Sequence, residues 1–203
     1  MARQIILLTG ETEFPLLSKG LLGANTGLEL LHANSRSELT HAMERCDLAS
    51  RSVRLLCFSS NVIVPSAVLN ALPGPAYNFH PGPPEYPGSN PDSFAIYEGA
   101  ARFGATVHEM AAKVDAGPIV KVSEFDIPED ANSLDLAALA YQRIASLFFD
   151  LAPYFATVDD PLPRIDRKWG PRKTTRADHA RMKALDETAM SDAERARWRR
   201  AFG

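Results

Sequence analysis

Short continuous apolar runs in the first 80 residues alternate with stretches whose apolar positions recur every three to four residues. Ile5 to Leu8, Leu28 to His32 and Val53 to Phe58 predict strands; a run without polar alternation marks a strand covered on both faces. Between them, Phe14 to Leu22 predicts a helix entering near Pro15, and Ser37 as N-cap predicts a second through about Ala49. Pro65 to Ala71 predicts a third, short helix ahead of a strand at residues 76–80. This alternation predicts an α/β domain with a mostly parallel sheet flanked by helices.

The pattern then changes. Asn78 and His80 lie two apart, so on an extended chain their side chains share one side and Phe79 points into the core. Pro81, Gly82, Pro83 and Pro84 follow and end the strand in a stiff loop. Open α/β sheets place their ligand crevices at strand ends of this kind. Ser93 to Gly99 predicts a short helix, and Ala105 to Met110 and the stretch IVKVSEFDI predict two more strands. Asp115 sits between those strands in the loop VDAGP, where Gly117 is expected to take the unusual backbone angles. The spacing allows that loop to fold over the strand end carrying His80.

An amide, an imidazole and a carboxylate on one crevice suit transfer of an acyl-type group. Asn78 can donate to a developing oxyanion, protonated His80 can donate to the same oxygen, and Asp115 favours that charged form and handles protons. No GxSxG is present and Ser59-Ser60 lacks that context, which favours direct transfer between two bound molecules. Five His and two Cys form no ligand-spaced cluster, so no metal is expected. By spacing alone His80 also reads as a hydrogen-bonded structural residue, and Asp115 as turn chemistry.

Asn78-Phe79-His80-Pro81, Gly88 with Pro91, Gly104-Ala105-Thr106-Val107-His108, and Val114-Asp115-Ala116-Gly117-Pro118-Ile119-Val120 together resemble the catalytic region of the folate-dependent formyltransferases. The resemblance implies a formyltransferase-type, Rossmann-like fold and makes Asn78, His80 and Asp115 the catalytic set. It further implies N10-formyltetrahydrofolate as formyl donor, held by Val62, Ile63, Val64, Pro65 and Val114, and an amine on a small molecule, such as an amino sugar, as acceptor. The same residues would also serve a hydrolase releasing formate, or a catalytically silent folate-binding protein. Two departures stand out. The loop Gly82-Pro83-Pro84-Glu85-Tyr86-Pro87 lacks the family's basic residue, and Ser59 to Pro65 lacks the glycine of its folate loop.

Composition narrows the remaining choices. The chain has 203 residues and a net charge of −3, with no recognised DNA-binding motif, so no DNA partner is expected. No apolar run approaches the ~20 residues of a membrane span, so no membrane partner is expected and a cytoplasmic location is the default. Cys46 and Cys57 predict reduced thiols. Glu11 and Glu13 repel an anion where the family's ribonucleotide enzymes bind phosphate. Ser133 to about Tyr154 predicts the longest helix, with Leu134, Leu136, Ala140, Ile144, Leu147, Phe148 and Leu151 on its apolar face.

Residues 1–160 are therefore expected to form the catalytic domain and 161–203 a helical C-terminal extension, with helix starts at Thr175 and Ser191. The extension carries twelve Lys and Arg against six Asp and Glu. A solvated pair of helices accounts for that charge; so does a contact of Arg172, Lys173 or Arg176 with an anionic acceptor. Forty-odd residues are too few for the barrel that usually accompanies a tRNA substrate in this family, so tRNA is not expected. Tyr86, His108 and Arg172 are the candidate acceptor-side residues. His108 reads as well as a core residue, and Tyr86 as a cover for the crevice.

Overall fold

The computed structural model describes residues 3–203. Six strands, β1 (Gln4–Leu8), β2 (Glu29–Ala33), β3 (Val53–Phe58), β4 (Tyr77–His80), β5 (Arg102–Glu109) and β6 (Ile119–Asp126), form one sheet in the order β2-β1-β3-β4-β5-β6. The first four are mutually parallel, whereas β5 and β6 run antiparallel to their neighbours. The antiparallel pairing of β6 with β5 follows from their connection. A loop of nine residues joins β5 to β6, too short for the dozen or more that a parallel crossover needs.

Helices α1 (Phe14–Ala24) and α5 (Ser133–Thr157) cover one face of the sheet. Leu17 and Leu21 of α1 meet Ile144, Phe148 and Phe155 of α5 over Ile5, Leu7, Phe58 and Phe79. On the other face α2 (Arg36–Arg45) and α3 (Ser66–Ala71) pack on Ile6, Leu8, Leu55 and Cys57. Ser35, rather than Ser37, caps α2, because its extended backbone lets its hydroxyl accept from the Glu38 amide at 3.2 Å. Helix α5 begins in a capping box of Asn132 and Asp135. Leu134, placed on its apolar face by periodicity, is instead 79% exposed, whereas Leu136 in the same turn is fully buried.

Two of the three tail helices, α6 (Arg176–Lys183) and α8 (Asp192–Phe202), start at Thr175 and Ser191 as capping chemistry predicts, with the short 3-10 turn α7 (Glu187–Ala189) between them. Phe202 of α8 packs on Phe94 of α4 (Pro91–Glu98), forming a third apolar cluster. Residues 161–174 form an extended strap. Leu162 donates its amide to the buried Tyr77 hydroxyl (2.9 Å), Ile165 to the Ile119 carbonyl (2.9 Å), and Gly170 to the Pro84 carbonyl (2.8 Å). The strap thereby ties the loop after β4 to the start of β6. Among the described residues no helix is long and apolar enough to cross a membrane.

Candidate active site

Asn78 and His80 stand at the C-terminal end of β4, where the parallel and antiparallel halves of the sheet meet. The antiparallel register sets His108 directly opposite Asn78 and Thr106 opposite His80. Asp115 comes from the loop between β5 and β6, which folds back over this strand end. The β5–β6 turn thus brings Asp115 to two groups more than thirty residues earlier in the chain, and all three line a cavity of about 740 Å³. A space of that size accommodates a ligand as large as a cofactor.

His108 links two of them. Its Nδ1 lies 2.8 Å from the Glu109 carbonyl and therefore carries a proton. Its Nε2 lies 3.1 Å from Asn78 Nδ2 and 3.4 Å from Asp115 Oδ1. When bare, that nitrogen accepts from the Asn78 amide and orients it; when protonated, it donates to Asp115. His80 directs Nε2 at the Tyr86 carbonyl (3.1 Å) and Nδ1 at Asp115 Oδ2 (3.7 Å). The Gly88 amide donates to the same Oδ2 at 2.9 Å.

Burial pushes the Asp115 carboxyl up. The hydrogen bond from His108, the charges of His80 and His108 and the Gly88 amide together outweigh it and bring it down to about 2. Burial pushes His80 down, against the pull of Asp115. The resting imidazole of His80 is thus neutral near pH 7 and already bonded to protein, unlike the protonated free donor expected from the sequence. Burial pushes the Cys57 thiol, in the cavity wall, up to about 12, which leaves no nucleophilic thiolate there.

Backbone strain marks the same place. Ser59, Asn90 and Asp115 are the non-glycine residues with positive φ among the described residues, at 47°, 53° and 47°, and each lines the cavity. Such angles cluster where a site holds the chain against its local preference. Asp115 itself, not Gly117, takes the left-handed conformation. Gly117 is required for another reason: a Cβ there would collide with the Glu109 carbonyl. Gly88, at φ 105°, would collide through a Cβ with the Thr174 carbonyl, where the strap bridges the loop after β4.

Val62, Ile63, Val64 and Val114 line the cavity, with Ile63 and Val114 exposed as an apolar mouth, whereas Pro65 caps α3 outside the lining. Tyr86 presents its carbonyl to His80 while its ring packs on Phe103, on the far side of the loop. Arg172 pairs with Glu98 at 3.2 Å and lies over Phe94, also away from the cavity; its neighbours Lys173 and Arg176 line it. Sequence reasoning missed Trp169. Its indole packs edge-on against both His80 and His108, and its Nε1 donates to the Gly117 carbonyl at 2.8 Å. A tryptophan before Gly170-Pro171 in a charged tail was the available signal.

Comparison with known proteins adds an independent line. A family profile described as Formyl transferase matches residues 30–146, more than half of the chain. A methionyl-tRNA formyltransferase from Borrelia duttonii (strain Ly) is 32% identical over 98 residues, covering 48% of this chain and 30% of that protein. The chain thus spans less than a third of that relative's length. Among solved structures, a 4-N formyltransferase from Francisella tularensis superposes with a TM-score of 0.78 at 19% identity, over 98% of this chain and 87% of that one. The N-formyltransferase from Helicobacter canadensis, in complex with folinic acid and dTDP-3-aminofucose, gives 0.74 at 14% identity, over 100% and 81%. At these identities the superpositions establish the fold.

Proposed function

The chain belongs to the formyl transferase family, and from that premise we propose that it moves a formyl group from N10-formyltetrahydrofolate to an amine on a small molecule. The observation that carries this reading is the convergence of Asn78, His80 and Asp115 on one cavity. We favour an amino sugar as acceptor, because the Helicobacter canadensis protein of the same fold is in complex with one attached to dTDP. Residues 1–160 act as the catalytic domain in this reading, with 161–203 as an extension that closes one side of it.

The neutral amine attacks the formyl carbon, forming the new C–N bond while the carbonyl π pair moves to oxygen. Asn78, held by His108 through one amide hydrogen, donates the other to that oxygen. His80, beside Asp115, takes up the proton that the attacking nitrogen sheds, places its positive charge near the oxyanion while it holds that proton, and gives it up again as N10 leaves. Collapse of the intermediate breaks the bond to N10, which leaves as an amine after gaining a proton. A carboxyl at about 2 does not retain a proton at neutral pH, so Asp115 steers the proton through water from the attacking nitrogen to N10. The pteridine lies against the backbone around Val62, Ile63, Val64 and Val114, where amides and carbonyls match its edge.

The test is calorimetry with folinic acid, followed by a formyl-transfer assay with N10-formyltetrahydrofolate and a panel of amino sugars. Saturable folate binding and acceptor-dependent turnover are expected. Formate release at the same rate without any amine would identify a hydrolase instead, and no folate binding at millimolar concentration would end the reading.

A further inference from the structure

Lys113, Lys173 and Arg176 stand at the cavity, and among the described residues none of them forms an ion pair. The partners of two of them are neutral: Lys173 Nζ donates to the Val114 carbonyl at 3.0 Å, and Arg176 to the Asn61 side-chain oxygen at 2.6 Å. Arg164, Arg167 and Arg172 of the same segment differ, each being paired with a glutamate. The cavity lining contains a single carboxylate, Asp115, which is 6% exposed and occupied by two histidines and the Gly88 amide. A chain with a net charge of −3 therefore opens its candidate active site through a rim of uncompensated positive charge.

Cations on the wall of a cleft focus their field into it and raise the local concentration of anions. The neutral contacts hold Lys173 and Arg176 in place without cancelling their charge. Arg176 spends one guanidinium nitrogen on Asn61 and keeps further N–H donors for a ligand. Lys113 arrives from the β5–β6 loop and the other two from the end of the strap and the start of α6, so the rim draws on two separate segments. We propose that Lys113, Lys173 and Arg176 form an anion subsite at the mouth of the cavity, which receives a phosphate or carboxylate group carried by one of the two substrates. The candidate carriers rest on the formyl-transfer reading: the glutamate tail of the folate, or an acidic group on the acceptor remote from its amine.

The full chain and its K113Q/K173Q/R176Q variant are compared by calorimetry at low ionic strength. Three probes are used: inorganic pyrophosphate, folinic acid, and the 5-formyltetrahydropteroate that lacks the glutamate. All three residues are exposed, so the variant is expected to melt like the parent. Pyrophosphate should bind the parent, weaken about tenfold or more in the variant, and weaken with added salt. If folinic acid loses affinity in the variant while the pteroate analogue does not, the anion is the folate tail. If both folates bind the two proteins alike, the subsite belongs to the acceptor. Equal pyrophosphate binding to parent and variant, or none to either, overturns the subsite and leaves the folate result to stand by itself. Charge-dependent pyrophosphate binding without folinic acid binding keeps the subsite and rejects formyl transfer.

Discussion

Trp169 meets His108 edge to face, with ring centroids 4.9 Å apart and planes at 89°, and the same indole touches His80 at 5.7 Å. One side chain from the strap thus backs both imidazoles, while its N–H fixes the carbonyl of Gly117, two residues from Asp115. The strap therefore belongs to the site as much as the strands do.

Trp169→Ala should lower stability by about 2–3 kcal/mol, below the range for a fully buried tryptophan because the ring is half-buried. Its kcat should fall more than its folate affinity. Trp169→Phe keeps the edge contacts, loses only the bond to Gly117 and should retain most of the activity. Thermal melts with steady-state kinetics decide; a kcat unchanged by the alanine would reduce the indole to a cover.

Replacing Asn78 by Ala should cut kcat about 10²–10³-fold, the usual loss for one oxyanion donor, with a modest change in KM. His80→Ala and Asp115→Asn should abolish turnover with the fold intact. Circular dichroism and cooperative melting check the fold. Full activity in all three variants would falsify the proposed mechanism.

Asp115 also sets a pH dependence of stability. Its carboxyl drops from the ordinary 3.8 to about 2 on folding, so the stabilisation is complete above about pH 4 and is lost as pH falls towards 2. The magnitude is roughly 2 kcal/mol. Wild type and Asp115→Asn should therefore differ less in Tm at pH 2 than at pH 5. His80 works in the same direction at higher pH: its burial lowers its pKa below the ordinary 6.5, so stability declines as pH drops through that value. A difference in Tm that stays constant from pH 5 to 2 contradicts the ion-pair arrangement around Asp115.

Gly88→Ala places a methyl group against the Thr174 carbonyl at a backbone angle that alanine resists. A loss of more than about 1 kcal/mol is expected, because strain is added to the broken bridge between loop and strap. The Gly88 amide also bonds Asp115, so activity should fall with stability. Gly99→Ala is the control: it too has positive φ, at 71°, but nothing crowds its Cβ position, and it should lose stability without losing chemistry.

Much of this was legible in the residues themselves. The runs of β1 and β3 declared their strands because a strand covered on both faces needs no polar alternation. Thr175 and Ser191 announced α6 and α8 through local capping, which the surrounding structure did not override. The meeting of Asn78, His80 and Asp115 on one cavity could be foreseen because a strand end and a short loop fix where their side chains go. Tyr86 and Arg172 were misplaced by nearness in sequence: the turn closed by the Tyr86 amide on the Pro83 carbonyl carries Tyr86 off, and on the extended strap the successive side chains of Arg172 and Lys173 point to opposite sides. Trp169 left no periodic trace, since the strap has no regular structure and its packing partners lie some 60 to 90 residues away.

The meeting of parallel and antiparallel halves at β4 has a consequence for heat tolerance. Asn78 and His80 sit on a strand paired on both sides, whereas Asp115 depends on a hairpin loop whose second strand, β6, forms the border of the sheet. Borders open locally at a lower free energy than centres. On warming, the carboxylate can leave its two imidazoles while the parallel half stays assembled, so activity is set to fade at a lower temperature than the one at which the molecule melts.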